Sequence, residues 1–387
     1  MLNFDFYNPT HILFGKDRMN EISNYIPSNA KVLITYGGGS AKKNGVIDKV
    51  KKALGKREVL EFGGIEANPH FETLMKAVEI VRKENINFLM AVGGGSVIDG
   101  TKFISIASYY KEKPENILKY GFSLIPKEVS EKYIPFGTVL TLPASGSEMN
   151  SGAVISYGDG KFPVLSEMAF PKFSLLDPAL TYTLPPIQVA NGIVDTFVHV
   201  TEQYLTYPVN GLLQDRIAEG ILQTLIEIGK TSVTESENYD ARANHVWCSS
   251  LALCGIVGAG VPKDLATHII GHELTASFGI DHAQTLAVVL PSMLKIRKDK
   301  KKNKLLQYAE RVWDIEGSDE DKINKAIDKT REFFESLGIK TRLSQYGIKK
   351  EQIPLVIERL KEHGMTSLSE THDLTPDISQ KILEEAM

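Results

Sequence analysis

Cysteine is scarce in this chain of 387 residues. The two cysteines, Cys248 and Cys254, lie in one helical-looking segment and form no Cys-x-x-Cys pair. This spacing argues against a disulfide framework and against a thiolate zinc site, and it fits the reducing cytosol. The N-terminus lacks a basic segment followed by an apolar one, and no apolar run approaches the roughly 20 residues that span a bilayer. We therefore expect a cytoplasmic protein with no membrane partner.

A surplus of positive charge is also absent. The net charge at pH 7 is -4, whereas nucleic-acid-binding proteins usually carry a basic surplus. The one basic run, KIRKDKKKNK at 295–304, has no interleaved aromatic residue, so we interpret it as a solvated helix end or loop. Hydrophobic residues make up 42% and charged residues 24% of the chain, which is typical of an ordinary globular protein. The length favours two domains, and we expect no nucleic-acid partner.

Strand and helix signals alternate through the first half of the chain. Short apolar runs predict strands at 31–36, 58–62, 87–92, 135–142, 152–157 and 173–177. Helices are predicted between several of them, notably at 42–54 and 69–86. Such repeated units predict a parallel sheet covered by helices. After a Pro-Pro segment only helical patterns remain, so we place an α/β domain at 1–180 and an all-α domain at 181–387.

Two glycine-rich turns follow predicted strands. One GGGS sequence, at 37–40, follows the strand at 31–36, and the other, at 93–96, follows the strand at 87–92. Glycine lets the backbone approach a pyrophosphate, and open α/β sheets bind ligands at the carboxyl ends of their strands. Neither turn has the Gly-x-Gly-x-x-Gly or P-loop spacing, so a plain tight turn is an equal alternative for either alone. Ser96 and Asp99 also have the spacing of a helix capping box.

The first turn bears on the choice of cofactor. Dinucleotide folds that prefer NAD place a carboxylate near the end of an early strand, where it accepts a hydrogen bond from the ribose 2′-hydroxyl and repels a 2′-phosphate. The segment YGGGS at 36–40 has no carboxylate, and Lys42 and Lys43 follow it closely. If a dinucleotide binds here, NADP(H) is favoured over NAD(H). The segment TLPASGSEMNSG at 141–152 adds small hydroxylated residues suited to phosphate or nicotinamide, with a polar loop as the even alternative.

Carboxylate and imidazole side chains interrupt two apolar helical segments. Asp195 and His199 are four residues apart in NGIVDTFVHVTEQY, so they share one face of a helix. His268 and His272 are also four apart, and His282 lies ten residues further on. A buried carboxylate is costly without a partner, and a cation shared with the histidines removes that cost. One carboxylate with several imidazoles suits Zn²⁺ or Fe²⁺.

The four histidines compete for about three positions on such an ion. We assign the metal ligands to Asp195, His199, His268 and His282. His272 is then left beside the metal as a proton carrier or as a support for a ligand. The His-Glu pair at 272–273 is not the zinc-protease motif, because position 276 is alanine. The structural alternative is that each histidine is a satisfied core residue.

At these residues the chain resembles the iron-containing (group III) alcohol dehydrogenases from end to end. It is most similar to their branch of NADPH-dependent aldehyde reductases and butanol dehydrogenases. The stretches that carry the resemblance are ILFGK, VLITYGGGS, FGGIEANP, VGGGSVIDGTKFI, TLPASGSE, YTLPPIQVANGIVDTFVHVTEQY and THIIGHELTASFGIDHAQTLAVVLP. The resemblance implies a dehydroquinate synthase-like architecture, with an N-terminal Rossmann-like NADP-binding domain and an all-α C-terminal metal-binding domain. It also implies a homodimer and the same metal ligands.

The resemblance further implies a reaction and a set of cofactor contacts. The reaction is hydride transfer between NADP(H) and a small aldehyde or primary alcohol, of the butanal and butanol type, with the metal as Lewis acid. The implied cofactor contacts are Gly37, Gly38, Ser40, Asn68, Gly94, Gly95, Ser96, Asp99, Thr138, Thr141, Ser147, Lys161, Leu180 and Thr183.

Three alternative functions remain open. An NAD-dependent polyol or glycerol dehydrogenase would be favoured by an acidic residue in the turn at 37–39, and none is present. A metal-dependent hydrolase, or a lyase of the dehydroquinate synthase kind, would need phosphate-binding residues near the metal ligands. Lys263 is the only lysine or arginine between 243 and 294. A non-catalytic binding protein with this fold would show no NADPH oxidation.

Overall fold

The computed structural model describes residues 1–126, 128 and 132–387. The chain forms two compact units, one of residues 7–184 and the other of residues 1–6 together with 185–387. The predicted domain boundary at 180/181 stays a prediction, and the compact units separate at 184/185. The N-terminal segment, which the prediction placed in the α/β domain, belongs to the helical unit. There the Leu2 amide donates a hydrogen bond to the Gly260 carbonyl at 2.9 Å.

A six-stranded parallel sheet forms the centre of the described part of the 7–184 unit. Its strands are β1 (His11–Phe14), β2 (Lys31–Tyr36), β3 (Glu58–Phe62), β4 (Phe88–Gly94), β5 (Phe136–Leu142) and β8 (Phe173–Leu176). Their order across the sheet is β1-β8-β5-β4-β2-β3. β4 is buried along nearly its whole length, as expected for a strand covered on both faces. The chain passes from β2 to β3 on one side and returns to β4 on the other, so β2 and β4 flank a topological switch point.

Helices and a separate hairpin complete this unit. The helices are α1 (Ser40–Lys43), α2 (Val46–Leu54), α3 (Phe71–Glu84) and α4 (Gly95–Ala107). The helix predicted over 42–54 is interrupted, because Gly45 has a φ of 72° in the left-handed region. The strand predicted at 152–157 is β6 (Gly152–Tyr157), but it lies outside the parallel sheet. It pairs antiparallel with β7 (Gly160–Leu165).

The unit of residues 1–6 and 185–387 is helical. Its helices are α5 (Pro186–Tyr204), α6 (Leu212–Thr234), α7 (Tyr239–Ala252), α8 (Ala266–Phe278), α9 (His282–Ile296), α10 (Lys302–Arg311), α11 (Asp319–Ser336), α12 (Ile353–Glu362) and α13 (Pro376–Glu385). Every residue of α5 from 189 to 204 is buried, so this helix is surrounded by others and not merely amphipathic. Asp195 and His199 therefore lie inside the unit. The predicted pairing of an α/β region with an all-α region is confirmed.

The basic run at 295–304 is only partly solvated, so its interpretation as a solvated end or loop is partly wrong. Arg297, Lys301 and Lys304 are buried. Each pairs with carboxylates of the same unit: Arg297 with Asp373, Lys301 with Asp264 and Glu370, and Lys304 with Asp215. These three charges are engaged by carboxylates inside the helical unit. Among the described residues, no helix combines the length and the apolar character needed to traverse a bilayer.

Candidate active site

Three helices bring Asp195, His199, His268 and His282 together. Asp195 and His199 lie one turn apart on α5, His268 lies on α8, and His282 begins α9. Asp195 Oδ1 lies 3.6 Å from His199 Nε2, 3.7 Å from His268 Nε2 and 3.9 Å from His282 Nε2. These separations are too long for good hydrogen bonds. Ligand atoms around one tetrahedral ion with bonds of about 2.1 Å are roughly 3.4 Å apart, so the distances suit a shared cation.

Burial and packing support the same interpretation. Possible ligand atoms of Asp195, His268 and His282 all lie within 4.8 Å of one another. The His199 ring stacks on the His268 ring with their centroids 4.4 Å apart. His268 Nε2 is buried and has no hydrogen-bond partner among the described residues, which is costly unless the atom binds a ligand. The donor set of one carboxylate and three imidazoles therefore fits Fe²⁺ or Zn²⁺.

Glu202 is a further functional side chain, which the sequence interpretation missed. It lies on α5 one turn after His199 and is only 2% exposed. Its Oε1 atom accepts a hydrogen bond from the His268 backbone amide at 3.1 Å, and its Oε2 atom accepts one from His268 Nδ1. The second contact orients the ring so that Nε2 faces Asp195. The three-residue spacing of His199 and Glu202 places both on one face of α5, but it does not reveal the contact with His268.

The electrostatic environment of His268 favours a positive charge. Burial lowers the pKa of His268, but the Glu202 and Asp195 carboxylates outweigh burial and raise that pKa to about 10. A divalent cation can take the place of the proton, because ligand binding and protonation compete for Nε2.

His272 lies beside this group. It follows His268 by one turn on α8, and its ring centroid is 4.8 Å from that of His282 and 6.3 Å from that of His268. The adjacent Glu273 is directed toward α12 and the residue after it. It accepts hydrogen bonds from Arg359 Nε at 3.1 Å and His363 Nδ1 at 2.7 Å. These contacts fix the rotation of α8, so that His272 remains next to His282.

The two glycine turns lie at the switch point of the sheet. The turn at 37–40 follows β2, the segment predicted as a turn at 93–96 spans the junction of β4 and α4, and β2 and β4 are neighbours. Gly95 begins α4, and a Cβ atom at this position would lie 2.3 Å from Ser145 Oγ. Gly95 thus allows the α4 N-terminus to pack closely against Ser145 of the segment at 141–152, and a larger residue would force the Ser145 side chain to move. Open α/β sheets bind dinucleotides at such a switch point.

The predicted capping box of Ser96 and Asp99 is wrong. Because α4 begins at Gly95, Ser96 lies within the helix, and its hydroxyl accepts a hydrogen bond from the Asn68 amide at 3.2 Å. Asp99 accepts hydrogen bonds from the Ser147 hydroxyl at 2.5 Å and the Val154 amide at 2.9 Å. Both residues connect α4 to neighbouring segments.

The structure also connects two residues that are distant in sequence. Asn68 has a φ of 59°, and its side-chain oxygen accepts a hydrogen bond from Lys161 Nζ at 2.7 Å. Since the Asn68 amide also donates to Ser96, these side chains form a continuous polar group beside the second glycine turn.

Four other predicted cofactor residues, Thr138, Thr141, Leu180 and Thr183, differ in their position and exposure. Thr141 is half-buried at the carboxyl end of β5, and Leu180 lies in a 3₁₀ turn, Pro178–Thr181. Thr183 is exposed and accepts a hydrogen bond from the Asn44 side chain at 2.9 Å. Thr138 is fully buried within β5, and its hydroxyl donates to Ser174 at 2.8 Å. The structure therefore does not bring the Thr138 side chain to the surface of this unit.

Comparison with known proteins covers both units. A family model described as iron-containing alcohol dehydrogenase matches residues 9–178, and the model for the C-terminal region of the Fe-containing alcohol dehydrogenase family matches residues 189–387. The chain belongs to the iron-containing alcohol dehydrogenase family. The resemblance found in the sequence is thereby confirmed.

The chain is similar over its full length to individual iron-containing alcohol dehydrogenases. The chain is 57% identical over 392 residues to the NADPH-dependent aldehyde reductase YqhD of Escherichia coli K12, with 100% of both chains covered. It is 38% identical over 395 residues to the NADH-dependent butanol dehydrogenase A of Clostridium acetobutylicum, covering 99% of this chain and 98% of that one. The crystal structure of E. coli YqhD matches with a TM-score of 0.96 and 55% identity, covering 100% of this chain and 99% of that one. The two relatives are thus named for different cofactors, the aldehyde reductase for NADPH and the butanol dehydrogenase for NADH.

Proposed function

We propose that this protein is a metal-dependent, NADP(H)-linked alcohol dehydrogenase that interconverts small aldehydes and primary alcohols, of the butanal and butanol type. The observation that carries the proposal is the buried group formed by Asp195, His199, His268 and His282. In this proposal these side chains bind one Fe²⁺ or Zn²⁺ ion. The helical unit is the metal-binding domain, and the unit of residues 7–184 binds NADP(H).

The reaction adds one hydride and one proton to the aldehyde. When bound, the cation supplies a Lewis acid for the negative charge that develops on the substrate oxygen, and NADPH supplies the hydride. Asp195, His199, His268 and His282 would hold the ion, and Glu202 keeps His268 in the required orientation. His272 donates a proton from an imidazole nitrogen to the substrate oxygen during reduction, and it accepts that proton during oxidation.

Cofactor binding is assigned to the switch point of the parallel sheet. The glycine turns after β2 and β4 leave room for the pyrophosphate, and the N-terminus of α4 offers free amide groups to it. Gly37, Gly38 and Ser40 are proposed to surround the 2′-phosphate. The 57% identity to a protein named as NADPH-dependent supports this assignment.

We also propose a cytoplasmic homodimer. Neither Cys248 nor Cys254 forms a disulfide, and both are buried, which suits a reducing compartment. Exposed apolar side chains are concentrated in the N-terminal segment, where Leu2, Phe4 and Phe6 are 46%, 47% and 52% exposed. Such a patch is suited to burial against a second subunit. Sedimentation equilibrium at micromolar concentration tests this proposal, and a monomer would contradict it.

The decisive experiment follows the loss of nicotinamide absorbance with butanal as substrate. NADPH and NADH are compared before and after chelation, with metal removal verified by elemental analysis. We expect activity that prefers NADPH, falls on chelation and returns when Fe²⁺ or Zn²⁺ is added. Full activity after verified metal removal would contradict the role of Asp195 and its histidines.

A further inference from the structure

A carboxylate lies beside the first glycine turn, although the turn itself contains none. Glu61 is near the carboxyl end of β3 and is paired in register with Ile34 of β2. The segment that follows β3 contacts the turn, because the Gly64 amide donates a hydrogen bond to the Gly37 carbonyl at 3.0 Å. In NAD-preferring dinucleotide folds, an acidic residue on the strand after the glycine turn accepts a hydrogen bond from the ribose 2′-hydroxyl. Glu61 is the residue of this chain in that position.

The Glu61 carboxylate is fully engaged by other side chains. Its Oε2 atom accepts hydrogen bonds from Lys42 Nζ at 2.9 Å and from the Tyr36 hydroxyl at 3.1 Å. Its Oε1 atom pairs with Lys51 Nζ. The contacts with Lys51 and then Lys42 lower the pKa of Glu61 to about 2. We call Tyr36, Lys42, Lys51 and Glu61 the Glu61 cluster.

The charge of the Glu61 cluster favours a phosphate over a hydroxyl group. Two ammonium groups and one carboxylate leave a single net positive charge, whereas a free carboxylate would repel a 2′-phosphate. Lys42 follows Ser40 by two residues, and 57% of its side chain is exposed. Its ammonium group is therefore available to a phosphate next to the glycine turn. Lys51 is attached to the other carboxylate oxygen and lies on α2.

We propose that the Glu61 cluster determines the preference for NADPH over NADH. Lys42 binds the 2′-phosphate, and Lys51 is a positioning residue that acts through Glu61 by occupying the oxygen that would otherwise accept a hydrogen bond from a ribose hydroxyl. This inference rests on the proposed function and deepens it.

The test measures the dissociation constants of NADPH and NADH by fluorescence titration of the full-length protein. Lys51→Met should lower the preference for NADPH by about three- to fivefold, because Glu61 regains a free oxygen. Lys42→Met should lower it by about tenfold, because a charged contact with the phosphate is also lost. Lys52→Met is the matched control: Lys52 is exposed on the same helix but lies outside the cluster, so the preference should not change.

A further variant isolates the carboxylate itself. When Lys42 and Lys51 are both replaced by methionine, adding Glu61→Gln should restore part of the lost NADPH preference, because it removes the repulsion. Unchanged preference in both single lysine variants, with NADPH still bound, would overturn the inference and leave the proposed function intact. Failure of the unmodified protein to bind NADPH would instead overturn the proposed function. Thermal unfolding of each variant verifies that the comparisons are made between folded proteins.

Discussion

Replacing Glu202 by glutamine should weaken metal binding without removing a ligand. Glutamine has the same shape and retains an oxygen for the His268 amide, but it removes the negative charge beside His268 Nδ1. The change therefore reduces the basicity of Nε2 and the restraint on the ring. Contacts of this kind change metal affinity by roughly 10- to 100-fold, equivalent to about 1.4–2.7 kcal/mol. The buried position of Glu202, at 2% exposure, excludes the solvent that would otherwise compensate.

The assay is competition for the metal with a chromophoric chelator, together with elemental analysis of the purified protein. Glu219→Gln is the matched control. Glu219 is also a buried carboxylate of the helical unit, at 4% exposure, but it accepts hydrogen bonds from Tyr204 and Gln307. This control should lose stability and keep its metal affinity. Unchanged metal affinity in Glu202→Gln would refute the argument, and an equal loss in Glu219→Gln would show that metal affinity merely follows stability.

Three more substitutions test other parts of the structure. His268→Ala should lose bound metal and NADPH oxidation together, and full activity with the metal retained would contradict its assignment as a ligand. Gly38→Asp should shift preference from NADPH toward NADH; a Cβ atom there meets no heavy atom within 4 Å, and an unchanged ratio of dissociation constants would place the 2′-phosphate elsewhere. Gly137→Ala should lower the free energy of unfolding by about 1–3 kcal/mol. The added Cβ would lie 2.3 Å from Phe173 Cζ, and a urea denaturation curve like that of the unmodified protein would disprove this.

Local sequence patterns were sufficient to predict many of the strands of the α/β unit. β2 and β3 begin and end at the predicted residues, because each is a short β-rich run within a clear alternation of strands and helices. β7 was not predicted: it contains Pro163, which cannot donate to a ladder, and its pairing with β6 is not visible in its own sequence. β6 was predicted as a strand, but the pattern of one segment does not specify the sheet to which it belongs.

In the candidate site, too, some features follow from local sequence and others depend on how distant segments pack. The four-residue spacing places Asp195 and His199 on one helical face, and the buried α5 carries both as expected. The approach of Glu202 to His268 depends on how α5 and α8 pack, which no local spacing encodes. Likewise, the engagement of Glu61 by Lys51 depends on how α2 approaches β3. Local sequence therefore indicated the metal site and the preference for NADP(H), but not the contacts that Glu202 and Glu61 make.

The association of the first six residues with the helical unit has a consequence for biosynthesis. Leu2 emerges early from the ribosome, but its partner Gly260 follows about 250 residues later, which is more than ten seconds at typical rates of translation. The 7–184 region can fold during that interval, while the N-terminal segment has no binding site. An affinity tag fused to Met1 would consequently disturb the packing of the helical unit, near the connection between α7 and α8. It would not disturb the α/β unit, although that unit follows Met1 in the chain.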